Sequence, residues 1–199
     1  MNVVIIKSGT ANLQSVAYAI ERLGVNPTIT DDPDLIVSAD KVILPGVGEA
    51  SYAMAYLRSN GLDKTICSLT QPVLGICLGM QLLCRDSEEG NAECLGIFTE
   101  SVKKFKVKYN GVTVFKVPQI GWNTVYDLKA KLYDGISENQ YMYSVHSYYV
   151  EKNPHTISTS NYIGEYSSAI QKNNFYGVQF HPEKSGDTGR LLLANFLKL

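Results

Sequence analysis

Short apolar runs alternate with helical patterns through the first half of the chain, and this alternation limits the possible folds more than any other feature. "NVVII" reads as a buried strand. In the following "ANLQSVAYAIERLG", Leu13, Val16, Ala17, Ile20 and Leu23 recur at helical spacing before Gly24. "NPTIT" and "KVILP" are further strands, the second ending at "PGVGEA", and "SYAMAYLRSNG" reads as a helix stopped by glycine. "QPVLGI" is the next strand and "LGMQLLCRD" the next helix. A β-α-β rhythm of this kind predicts an α/β fold, with an open, mostly parallel central sheet flanked by helices.

After Cys94 the texture changes to short β-rich pieces. "SVKKFKVKY" and "VTVFKV" are joined by Asn110-Gly111, a dipeptide that supplies the positive φ angles of a tight hairpin. "YMYSVHSYYV", "HTISTS" and "NFYGVQF" are aromatic and β-branched, as strands prefer, and "GRLLLANFL" closes the chain as a helix. An antiparallel β extension in the second half is therefore expected. No linker, repeat or low-complexity segment divides the 199 residues, so residues 1–199 are expected to form one domain.

Composition excludes several function classes. Apolar residues make up 45% of the chain and charged residues 19%, ordinary for a globular protein. The net charge of -1 gives no electrostatic footprint for nucleic acid or membrane, and the basic "KKFKVK" reads as a solvated strand face. The apolar run in "MNVVIIKSG" is too short for a signal-peptide core, and no later run is long enough to span a bilayer. A cytoplasmic location is the expectation. Cys67, Cys77, Cys84 and Cys94 lack paired CxxC spacing, and the histidines complete no zinc pattern, so neither a disulfide scaffold nor a metal is expected.

Three motifs carry chemistry. In "LGICLGMQLL", Gly-x-Cys-x-Gly falls between a strand and a helix, the thiol version of a nucleophile elbow, with Gly75 and Gly79 leaving room for Cys77. The amide groups that open the helix favour negative charge, so they can assist a thiolate and an oxyanion. Alternatively, a cysteine between Ile76 and Leu78 is a small buried apolar residue. In "VQFHPEKSG", His181 and Glu183 are one residue apart, and Pro182 favours an extended backbone before it, so imidazole and carboxylate can share one side. Such a pair can activate a thiol and protonate a leaving amine, although His-x-Glu at a strand end is also ordinary surface chemistry. "LPGVG", residues 44–48, sits at a strand's C-terminal end, where open α/β sheets bind ligands, or is a plain strand-to-helix turn.

"PGVG", "GICLGMQ" and "FHPEKSG", in this order and spacing, resemble the class I (triad) glutamine amidotransferases, which are flavodoxin-like α/β proteins. "ANLQSV", "DKVILPGVG", "VPQIGWN", "VHSYYV" and "NFYGVQFHPEKSG" extend the likeness nearly end to end, toward the glutaminase subunits of imidazole glycerol phosphate synthases. The resemblance implies release of ammonia from glutamine without a cofactor. It also implies a heterodimer with a (β/α)8-barrel cyclase subunit, which uses the ammonia in histidine biosynthesis. By matching motif positions, Cys77 is the nucleophile, His181 the acid/base and Glu183 its orienter. The Leu78 N–H and an amide of Gly46, Val47 or Gly48 supply the oxyanion hole.

Gln81, one helical turn after Cys77, can hydrogen-bond the substrate's backbone end or be a solvated helix residue. The segment His146, Ser147, Tyr148 matches a glutamine-pocket wall, or is an aromatic strand packed in the sheet. Lys184, Trp122 and Asn123 match cyclase-interface positions, against an exposed charge and ordinary core packing. A subunit of this kind is expected to stay nearly idle until its partner docks, with the glycine-rich "PGVG" turning to complete the oxyanion hole. The chain departs from the family pattern at Lys7, Ala11 and Gln119, which leaves room for a paralogue feeding a sugar-modifying amidotransferase. A non-catalytic thiol sensor on the same fold is the alternative from another class.

Overall fold

The computed structural model describes every residue except 10, 11, 107, 110, 111 and 114, together with all side chains but those of 107–114 and residues 10 and 11. The first half runs β1 (Val3–Ile6), α1 (Leu13–Glu21), β2 (Thr28–Thr30), α2 (Pro33–Val37), β3 (Lys41–Gly46), α3 (Ala50–Ser59), α4 (Leu62–Ser68), β4 (Val73–Cys77) and α5 (Leu78–Leu82). The second half contributes β5 (Asp86–Ser87), β6 (Ala92–Glu93), β7 (Ser101–Lys104), β8 (Lys108–Tyr109), β9 (Val112–Thr113), β10 (Gln119–Val125) and β11 (Gln140–His146). It ends with β12 (Tyr148–Val150), β13 (Thr156–Asn161), β14 (Glu165–Lys172), β15 (Phe175–Val178) and α6 (Gly186–Lys198).

The central sheet has the order β13-β14-β15-β4-β3-β1-β2. From β15 to β2 every pairing is parallel, and β13-β14-β15 forms an antiparallel margin. Helices cover both faces, which explains why the strands read as unbroken apolar runs. Val3 and Ile5 pack with α1 and α6 through Val16, Ile20, Leu192 and Phe196 on one face. Val4, Ile6 and Leu44 pack with α3, α4 and α5 through Met54, Leu57, Ile66 and Met80 on the other. Each fully buried strand side chain contributes about 1.5–3 kcal/mol, and the parallel half is built from little else.

The antiparallel extension wraps one end of this frame. β10 and β11 form a ribbon in unbroken register from Gln119 opposite His146 to Val125 opposite Gln140. β12, β7, β5 and β6 form a second small sheet, antiparallel as expected except that β5 pairs parallel with β7. The predicted Asn110-Gly111 turn lies outside the described residues; the flanking β8 and β9 pair antiparallel. "SVKKFKVKY" is not one strand: β7 stops at Lys104, and Phe105 turns inward to stack on Tyr149 at 4.5 Å. β14, which lacks the apolar alternation of a strand in the sequence, bridges β13 and β15. Among the described residues, no helix is long and apolar enough to cross a membrane.

Candidate active site

β4 delivers Cys77 to the C-terminal edge of the parallel sheet, where it also starts α5. Its φ of 55° and ψ of -110° are strained for an L residue, and the packing beneath it explains how the strain persists. A Cβ on Gly79 would sit 1.7 Å from the Leu44 carbonyl oxygen, and one on Gly75 would sit 2.7 Å from that of Gly79. Only glycines let β3, β4 and α5 meet backbone to backbone, and that contact fixes the turn. The sulfur lies 3.7 Å from the Val145 carbonyl oxygen and 3.8 Å from Gln179 Nε2.

β15 runs beside β4 with Val178 opposite Ile76, so the chain leaves the sheet next to the elbow. A short 3-10 turn, Pro182–Lys184, then folds Glu183 back until its Oε1 lies 2.8 Å from His181 Nδ1. A carboxylate only accepts, so Nδ1 carries the proton and Nε2 is left for the sulfur. The turn hangs on β11: His181 N–H donates to the Tyr143 carbonyl at 2.8 Å, and Tyr143 N–H donates to Ser185 Oγ at 2.9 Å. Ser185 Oγ–H in turn donates to the His181 carbonyl at 2.7 Å. Burial, the largest single influence, works against an imidazolium here. The hydrogen bonds and charges of Cys77 and Glu183 outweigh it and push the His181 pKa up to about 10. Glu183 Oε2 is buried with no hydrogen-bond partner among the described residues.

The opposite wall of the cleft comes from the end of β11. His146 Nδ1–H donates to the Tyr148 carbonyl at 2.8 Å, and the Tyr166 hydroxyl lies 3.3 Å from both His146 Nε2 and Gln119 Oε1. Burial, aided by the nearby His181, lowers the His146 pKa to about 4 against the Tyr148 bond, so this ring is neutral. Both its nitrogens are engaged, so it shapes the wall. Gln81 Nε2 donates to the Tyr148 carbonyl at 3.2 Å and to Gln179 Oε1 at 3.0 Å, which leaves Gln81 Oε1 as the amide's open acceptor. Ser147 and Tyr148 line the same cleft of about 340 Å³.

Val47, Gly48 and Leu78 border the cleft beside Cys77, whereas Gly46 lies beneath, where a Cβ would sit 2.9 Å from that of Leu78. Glu89, which the sequence reading passes over, also lines the cleft. Its Oε2 accepts from Ala50 N–H at 3.1 Å, because Glu49 makes no side-chain cap for α3. Burial raises the Glu89 pKa, against the Ala50 hydrogen bond. Among the described residues, no group of three or more His, Cys, Asp or Glu is arranged to hold a metal ion.

The family profile described as glutamine amidotransferase class-I matches residues 4–199. Imidazole glycerol phosphate synthase subunit HisH of Bacteroides fragilis (strain YCH46) is 50% identical over 199 residues, covering 100% of both chains. The subunit of the same name from Haemophilus influenzae (strain ATCC 51907) is 52% identical over 100% of this chain and 98% of its own. The chain belongs to the class-I glutamine amidotransferases, among the HisH subunits. The fold of this HisH-type chain matches a putative GMP synthase protein of Thermoplasma acidophilum with a TM-score of 0.74 at 20% identity, over 100% of this chain and 92% of that one. A second structure, of a glutamine amidotransferase, gives a TM-score of 0.75 at 14% identity, over 99% of this chain and 98% of that one. In the HisH-type chain, Lys184 stands exposed at the mouth of the cleft. Trp122 is 56% exposed on the ribbon and packs edge-on against Tyr143, and Asn123 Nδ2 donates to the Asn161 carbonyl at 3.2 Å. Trp122 and Asn123 lie away from the cleft lining.

Proposed function

We propose that this HisH-type amidotransferase hydrolyses glutamine at Cys77 and supplies the ammonia to a (β/α)8-barrel cyclase subunit, as the glutaminase half of imidazole glycerol phosphate synthase. The observation that carries this reading is the convergence of the Cys77 sulfur, the His181 imidazole and the Glu183 carboxylate at one end of a cleft with room for an amino acid. The thiolate attacks the side-chain amide carbon while His181 holds the proton. The amide oxygen becomes an oxyanion facing the Leu78 N–H and an amide of the Val47-Gly48 turn. Collapse of the intermediate breaks the C–N bond as His181 gives its proton to the departing nitrogen, leaving ammonia and a γ-glutamyl thioester. His181 then takes a proton from water, which attacks the thioester and releases glutamate and the thiolate. Glu89 and Gln81 Oε1 both accept hydrogen bonds and suit the substrate's α-ammonium.

Gly48 has φ of 98°, a conformation that favours glycine, so its peptide can turn toward or away from the oxyanion at little cost. The exposed Trp122, with Ile120 and Tyr141 on the same ribbon, and Lys184 at the cleft mouth supply the docking face for the cyclase. The test is ammonia release from glutamine by the purified chain, alone and with the cyclase and its nucleotide ligand. Release is expected to be far faster in the complex and to fall at least about a thousandfold with Cys77→Ser. Turnover that survives this substitution would remove Cys77 from the mechanism.

A further inference from the structure

Gln179 follows β15 directly and is 1% exposed, so its amide must find partners inside the protein. Its Oε1 lies 3.0 Å from Gln81 Nε2, and its Nε2 lies 3.8 Å from the Cys77 sulfur. The orientation is set from the far end of this chain of contacts. The Tyr148 carbonyl can only accept, so Gln81 turns its NH2 toward it at 3.2 Å. The same nitrogen reaches Gln179, which must offer oxygen there. Its N–H2 therefore faces the sulfur; the flipped amide would set N–H2 against N–H2 and oxygen against sulfur.

We propose that Gln179 is a further catalytic residue, whose side-chain N–H hydrogen-bonds the Cys77 sulfur and stabilises the thiolate, held in that orientation by Gln81 and the Tyr148 carbonyl. This rests on Cys77 being the nucleophile. The other groups around the sulfur explain why a donor is needed. From β11 the Val145 carbonyl, at 3.7 Å, accepts from the thiol S–H and repels a thiolate. His181 faces the sulfur from the turn after β15, and Glu183 acts on it through that imidazole. His181 changes charge during the cycle, giving its proton to ammonia and regaining one from the attacking water before the sulfur leaves as a thiolate. An uncharged amide donor persists through both steps, and it adds no positive charge to compete with the substrate's ammonium for Glu89.

The test is the pH profile of Cys77 alkylation by iodoacetamide in the full chain, read by mass spectrometry in a Cys67→Ser background. Cys67 is the exposed cysteine, while Cys84 and Cys94 are buried. With Gln179→Met, similar in shape but lacking the donor, the midpoint of the alkylation profile is expected to move up by about one pH unit, equivalent to about 1.4 kcal/mol, while the plateau rate at high pH stays within about twofold. Gln81→Met, which frees the Gln179 amide to turn, is expected to shift the profile the same way by a smaller factor. It serves alone if Gln179→Met does not fold. Profiles that superimpose on the parent, or rates that fall equally at every pH, would overturn the assignment. An inactive Cys77→Ser with unshifted alkylation removes only the role of Gln179, whereas an active Cys77→Ser removes the nucleophile itself.

Discussion

The two walls of the cleft are built by different means, and their histidines register the difference. On the elbow wall, glycine-mediated backbone contact fixes Cys77, and its sulfur, together with a carboxylate 2.8 Å from the ring, keeps His181 positively charged. On the ribbon wall, an equally buried His146 meets a carbonyl and a phenol, and stays neutral. Burial opposes charge in both rings, so the partners decide: the Cys77 sulfur and the Glu183 carboxylate retain the proton on His181, and the neutral partners of His146 do not.

Removing the Glu183 charge, while Cys77 stays in place, brings the elbow wall closer to the ribbon wall, and this is the largest expected effect. Glu183→Gln keeps the shape and removes the charge, so the His181 pKa measured by NMR should fall well below about 10, with glutamine turnover in the complex lower by about 10²–10⁴-fold. An unchanged His181 titration would break the comparison.

The next effect separates the histidines by pH. A raised pKa gives His181 a stabilising contribution present below pH 6.5 and lost as pH rises toward about 10. The lowered pKa of His146 works in the opposite sense: its contribution is present above pH 6.5 and fades as pH falls toward about 4. The acid limb is worth on the order of 3 kcal/mol. Urea unfolding between pH 4 and 7 should show it, and His146→Asn should flatten it; a limb of equal depth in the variant would assign the loss to other groups.

The smallest effect sharpens the ribbon side. Tyr166→Phe deletes the hydroxyl shared by His146 Nε2 and Gln119 Oε1, which should lower stability by about 1 kcal/mol. It should raise KM for glutamine while kcat stays within about twofold, because the wall shifts and the chemistry does not. A fall in kcat at constant KM would place Tyr166 closer to the reaction than its bonds suggest.

What the sequence makes legible follows the same division. The elbow can be read because Gly75, Cys77 and Gly79 lie within five residues, and the His181–Glu183 pair because one short turn joins them. The ribbon wall depends on distant contacts with no local signal. Glu89 enters the cleft because α3, thirty-nine residues earlier, lacks a cap of its own. β14 escapes a reading based on apolar alternation because its hydroxyls are buried in pairs. Ser168 meets Ser158 at 2.7 Å and Ser167 meets Thr156 at 2.7 Å, so polar residues here mark the interior. Gln179 stands in plain view beside the histidine motif, but its significance appears only when Gln81 and Tyr148 fix the direction of its amide.

Tyr143 joins the outside of the ribbon to the imidazole. Its ring supports Trp122, while its main chain grips both ends of the turn that carries His181. The path from that outer indole to His181 is thus one ring contact and the two hydrogen bonds of the Tyr143 main chain. A displacement of Trp122 would meet this path wholly outside the cleft, on the exposed face of the ribbon.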